Sequence, residues 1–140
     1  ISLLRRDGAA PPPPASLIRT RGREELFGKV TDYLRSNLGR SLTLEEVCRD
    51  NLVGRSRLQQ LFREHTGGGA MEYFGRLKIE RAKEMIREGS RNFTEIAAAL
   101  GYQSIYYFSR HFKKVTGMTP SEYASSVKIL AGKTRPGGGR

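Results

Sequence analysis

The chain has 140 residues, 37% of them hydrophobic, and a formal net charge of +11 with a pI near 10.3. That is enough for one domain with tails, and it makes polyanions the leading class of partner. Cys48 is the single cysteine and His65 and His111 are the two histidines, which excludes an intramolecular disulfide, argues against a zinc site and favours a reducing, cytoplasmic setting; no stretch approaches the ~18 apolar residues of a membrane span.

Residues 1–22, with Pro11 to Pro14, read as a disordered Pro-rich linker, because consecutive prolines favour an extended left-handed conformation. The chain opens on Ile1 rather than Met and on no signal-peptide pattern, and reads as a piece of a longer protein. A domain is expected over 23–128, followed by a flexible basic tail over 129–140. The domain segment carries 18 cations against 13 acids, so the placement of its cations matters more than their number.

Within the domain the apolar spacing is helical throughout, and the expected fold class is all-α, with about seven helices. Leu26, Val30, Tyr33, Leu34 and Leu38 mark one face of a first helix, closed by Gly39. Thr43 with Glu46 forms a capping-box pattern ahead of a short helix carrying Leu44, Val47 and Cys48. Residues 51–54 break it. A helix over Ser56 to Thr66 follows, with Leu58, Leu61 and Phe62 inward and Gly67 as its stop. The longest helix is expected over about 70–88, burying Met71, Phe74, Leu77, Ala82 and Met85. Then come a short helix from Thr94 to Leu100, a helix from Ser104 to Thr116 stopped by Gly117, and a last one near Pro120 to Val127, where Thr119 is the cap.

An internal repeat organises these elements. At an offset of fifty, Phe62 aligns with Phe112, Thr66 with Thr116, Gly67 with Gly117, Glu72 with Glu122 and Tyr73 with Tyr123. Each copy reads as short helix, tight turn, second helix and Thr-Gly stop, which is the helix-turn-helix pattern whose second helix lies in the DNA major groove. The copies span about 42–67 and 93–117, joined by the long helix at 70–88.

Cations concentrate on the second helix of each copy. With Leu58, Leu61 and Phe62 turned to the core, Ser56, Arg57, Gln59, Gln60 and Arg63 are left on the other faces. Gln can pair with the N6/N7 edge of adenine and Arg with the O6/N7 edge of guanine. In the second copy Phe108, Phe112 and Val115 point inward, leaving Ile105, Tyr106, Tyr107, Ser109, Arg110, Lys113 and Lys114 exposed. Base contacts are thus expected from Ser56, Arg57, Gln59, Gln60, Ile105, Tyr106, Tyr107, Ser109 and Arg110, and phosphate contacts from Arg55, Arg63, Lys113 and Lys114.

The stretches LQQLFREHTG (58–67), LKIERAKEMI (77–86) and IAAALGYQSIYYFSRHFKKVTGMTPSEY (96–123) resemble the DNA-binding domain of the AraC/XylS family of transcription regulators. The resemblance covers about 24–127 and implies two recognition helices in successive major grooves of double-stranded DNA, roughly 34 Å apart. It further implies that the sensing of any effector ligand belongs to a region absent from this chain. The base-contacting surface it carries over falls on Ser56, Gln59 and Gln60, and on Ile105, Tyr106, Tyr107, Ser109 and Arg110. Two places depart from the family pattern: Leu52 and Gly54 stand where the family usually has Gly and often Ser, and Gly68-Gly69-Ala70 replaces a small-polar-Pro lead into the long helix. Glycine there loosens the chain and supplies no side-chain cap.

Two other readings compete. One is RNA binding through a basic helical surface, which predicts no sequence-dependent recognition of a duplex. The other makes Tyr106 and Tyr107 contacts to RNA polymerase or a partner regulator, a role compatible with DNA binding. An enzyme is not expected. The two imidazoles converge on no catalytic set, no cofactor motif is present, and Gly67-Gly68-Gly69 lacks the Lys-Ser/Thr of a phosphate loop.

Overall fold

A computed structural model describes the backbone of residues 15–134 and the side chains of residues 21–130. Seven helices follow in chain order: α1 (Ala15–Ser36), α2 (Leu44–Asp50), α3 (Arg55–Thr66), α4 (Ala70–Glu88), α5 (Phe93–Ala99), α6 (Ile105–Thr116) and α7 (Pro120–Thr134). No strand occurs among the described residues, and no described helix is long and apolar enough to cross a membrane. The all-α expectation holds.

Local chemistry sets most helix ends. At α2 the Thr43 hydroxyl accepts from the Glu46 N–H at 3.1 Å while Glu46 Oε1 accepts from the Thr43 N–H at 2.8 Å. That is the reciprocal box expected from the sequence. A second box at α5 uses Asn92 and Glu95, one residue earlier than the helix start read from Thr94. Gly67, Gly89 and Gly117 close α3, α4 and α6 in the left-handed conformation.

Two helices run beyond their expected bounds. α1 begins at Ala15, inside the stretch read as linker, because Gly22 is the weakest helix former between Ala15 and Leu26 and a lone interior glycine costs only about 1 kcal/mol. α7 continues past Val127 to Thr134, into the stretch read as tail. Residues 1–14 and 135–140, the rest of those two stretches, lie outside the described residues.

The core consists of two clusters that share α4. The first gathers Val30 and Leu34 of α1, Leu42, Val47 of α2, Leu58 and Phe62 of α3, and Ala70 and Phe74 from the first half of α4. The second gathers Ile79, Ala82, Met85 and Ile86 from the second half of α4 with Ile96, Ala97 and Leu100, and Phe108 and Phe112 of α6. Leu38 packs against both. α4 therefore changes the face it buries along its length. Hence Met71 and Leu77, expected in the core, are half-buried, while Ile79 and Ile86 are buried.

Between the clusters sits a cation. Lys78 of α4 is 7% exposed, and its ammonium donates to the carbonyls of Leu38 at 2.8 Å and Arg40 at 2.7 Å, and to that of Leu100. It also lies 4.7 Å from the ring centre of Phe74 and 5.6 Å from that of Tyr102. Burial lowers its pKa to about 8, so it stays protonated at neutral pH. Beside it, Gly101 holds φ at +78° and lies so close to Gly39 and Arg40 that an added Cβ would come within 2.9 Å of the Arg40 carbonyl carbon. Only glycine satisfies both constraints.

Replacing Lys78 by Met keeps the stem and removes the donor from three carbonyls at once. Lys78→Met is expected to destabilise the fold by about 3 kcal/mol, since buried acceptors left without a partner carry their full desolvation cost. Urea unfolding of the two proteins measures this directly, and an unchanged midpoint would refute the assigned role.

Candidate nucleic-acid interface

Each second helix buries one face and turns its opposite face outward. In α3, Leu58, Leu61 and Phe62 are buried, and Arg55, Ser56, Arg57, Gln60 and Arg63 are exposed. In α6, Phe108 and Phe112 are buried, and Tyr106, Tyr107, Arg110, Lys113 and Lys114 are exposed. The 3.6-residue period makes this division, because positions three and four apart share a face.

The exposed face of α6 begins with three large apolar groups, Ile105 at 41%, Tyr106 at 58% and Tyr107 at 53% exposure. Ser104 caps the helix by accepting from the Tyr107 N–H. Arg110 lies over the Tyr106 ring at 5.5 Å from its centre and donates to its hydroxyl at 3.2 Å. The stack holds the guanidinium in place while leaving its other donors outward. Tyr107 meets Tyr106 edge-on at 5.4 Å. Ser109 is half-buried on the flank.

The face of α3 is more engaged with protein. Arg55 is paired with Glu45 of α2, and the Gln60 amide donates to Glu64 at 3.2 Å. Glu64 also pairs with Arg23 of α1 at 3.5 Å, so α1 flanks a shallow groove lined by Arg57 and Gln60. The Gln59 amide oxygen accepts from the backbone N–H of Ala70, at 3.0 Å, at the start of α4. Among the described residues, Arg57, Arg63, Lys113 and Lys114 have no carboxylate within ion-pair distance. Ser56, Gln60 and Arg63 therefore share one outward stripe on α3, and Tyr106, Arg110 and Lys113 the matching stripe on α6, whereas Gln59 and Ser109 lie at the margins.

The departures in the first turn have structural counterparts. Leu52 is in the left-handed region at φ +54° and 89% exposed, a conformation in which glycine is strain-free and leucine is not. Gly54 starts α3 without a side-chain cap, where Ser104 caps α6.

Several contributors gave little signal in sequence. Lys78 falls on the buried stripe of α4, four residues after Phe74 and four before Ala82; a cation in such a register is the one clue. His111 replaces Leu61 of the first copy. It packs on Gly75 of α4, where an added Cβ would lie 2.8 Å from its ring, and bonds to the Tyr102 hydroxyl at 2.7 Å. Burial lowers its pKa, with the charges of Lys114 and Lys78 adding to the effect. Glu72 and Arg76 of α4 face the same groove.

Comparison with known proteins agrees with this geometry. Residues 34–126 match the helix-turn-helix domain family. The HTH-type transcriptional activator RhaR of Cronobacter sakazakii is 35% identical over 109 residues, which are 75% of this chain and 38% of that protein. The chain spans about two fifths of the length of the curated relatives it matches. A transcriptional regulator of Chromobacterium violaceum with an AraC-type DNA-binding domain superposes with a TM-score of 0.70 at 21% identity, over 76% of this chain and 96% of that one. The DNA-binding domain of AdpA, solved with a target DNA, superposes with a TM-score of 0.68 at 17% identity, over 74% of this chain and 93% of that one. These two show a shared fold.

The lowered pKa of His111 has a thermodynamic consequence. Unfolded, the imidazole takes a proton near pH 6.5; folded, it resists until a lower pH. Its contribution to stability is therefore present above 6.5 and lost as pH falls toward the folded value. Thermal unfolding between pH 7.5 and 5 is expected to show a steeper loss for the wild type than for His111→Gln. Parallel curves would rule this out.

Proposed function

The chain belongs to the AraC-type family of helix-turn-helix transcription regulators, and from that premise we propose that it regulates transcription by binding double-stranded DNA with α3 and α6 in successive major grooves. The observation that carries this reading is the duplicated pair of second helices, each with a buried apolar face and an outward face of Arg, Lys, Gln, Ser and Tyr. In this reading Ser56, Arg57 and Gln60 approach base edges from α3, with Gln59 beside them. From α6, Arg110 reads a base edge, Ser109 adds a hydroxyl, and Ile105, Tyr106 and Tyr107 pack on thymine methyls or sugars. Arg55, Arg63, Lys113 and Lys114 hold phosphates. Arg110 is the strongest candidate for a base reader, because its stack on Tyr106 fixes the guanidinium before DNA arrives. The second unit is the more electropositive, since α6 contains no acid and α3 contains Glu64, with Glu45 beside Arg55. Two readers on one chain suit an asymmetric site bound by a monomer.

Selection from a random DNA pool tests the proposal. The expected motif has two blocks about one helical turn apart; failure to enrich any sequence refutes it. On the selected site Arg110→Ala is expected to cost roughly 1–3 kcal/mol, with a much smaller loss on random duplex. Equal losses on both would remove Arg110 from base reading. Lys113→Ala should weaken all duplexes alike and reduce the slope of log affinity against log salt by about one.

A further inference from the structure

We propose that Gln59 is a positioning residue that latches the first recognition helix to the linker helix by capping it from the side. α4 starts at Gly69, which has no side chain with which to cap. Its counterpart fifty residues on is Thr119, which caps α7: the hydroxyl accepts from Glu122 N–H at 3.1 Å, and Glu122 Oε1 accepts from Thr119 N–H at 2.8 Å. Glu72 stands at the position of Glu122, so Gly69 alone breaks the box in the first unit. Another donor of this helix start is served from outside the helix. Gln59, one turn into α3, reaches across to accept from the Ala70 N–H. The space is available because residue 69 is glycine: an added Cβ there would lie 3.2 Å from the Gln59 amide oxygen. Serine stands at the matching position 109, where α7 brings its own cap.

The two units thus hold these helix starts in different ways: Thr119 serves the Glu122 N–H, whereas Gln59 serves the Ala70 N–H, a donor that its counterpart Pro120 lacks. In the second the cap is local and leaves α6 untied. In the first it is a bond of sequence separation eleven that ties α3 to α4. A helix start left uncapped is marginal, so this bond both holds the start of α4 and sets how α3 is presented. For its effect on recognition the inference rests on the duplex-binding reading of α3; for its effect on folding it does not.

The test uses the whole chain in three forms: wild type, Gln59→Ala, and Gln59→Ala with Gly69→Thr, which rebuilds the Thr-x-x-Glu box of α7 in the first unit. Without DNA, Gln59→Ala is expected to lower Tm by roughly 3–6 °C and the double variant to recover most of it. On DNA, selection profiles are read base by base. A latch predicts that Gln59→Ala flattens every column of the α3 block, with roughly fivefold weaker binding, leaves the α6 block unchanged, and is not undone on DNA by Gly69→Thr, whose cap is local to α4. Relaxation of a single column, with the rest of the α3 block intact, makes Gln59 a base reader and overturns the inference. So does a Tm of Gln59→Ala equal to that of the wild type. If the wild type enriches no sequence, the DNA reading fails while the melting comparison still decides the latch.

Discussion

Three carbonyl groups from separate parts of the chain converge on the ammonium of Lys78. Leu38 and Arg40 lie in the segment between α1 and α2, and Leu100 is the residue that follows α5. A buried charge is costly unless its donors are satisfied, and here the carbonyls, with the faces of Phe74 and Tyr102, satisfy it. The first unit, the linker helix and the second unit all meet at this point. The close approach of Gly101 to Gly39 and Arg40 lies beside it, and a larger residue would force the two units apart. A joint of backbone on backbone around one cation has little freedom to bend, which suits the proposed presentation of two outward helices at one spacing.

That spacing is carried along α4, which buries different faces in its two halves. Each half completes one unit's core, so neither unit is closed without the helix that joins it to the other. The arrangement makes the outward stripes of α3 and α6 properties of one framework.

The two copies have diverged most where their helices begin. Packing positions are kept, as with Phe62 and Phe112, because a change of shape in a close-packed core is felt by every neighbour. Helix starts tolerate exchange, since an orphaned N–H can be met by any acceptor that arrives. Thus Ser104 and Thr119 cap within their own helices, while Gly54 has no side-chain cap and Gly69 leaves Ala70 to Gln59. The first unit also pairs cations with acids, Arg55 with Glu45 and Arg23 with Glu64, whereas among the described residues no cation of α6 is paired with a carboxylate.

The helices, their glycine stops, the fifty-residue duplication and the two-sided nature of α3 and α6 were legible from sequence, because each follows from interactions within three or four residues or from a repeat of them. The start of α1 was not, because four prolines suggest an extended segment and do not say where it stops. Nor were Lys78, the His111–Tyr102 pair or the direction of Gln59. The partners of Lys78 lie 22 to 40 residues away, and no local pattern distinguishes a lysine that meets three carbonyls from one that meets water. Sequence alone determined which faces of α3 and α6 turn inward and which outward, since helical periodicity is a local property of the chain. Which of those residues are already held by other parts of the protein was decided only when the helices packed, since such contacts require two distant segments to meet at hydrogen-bond range.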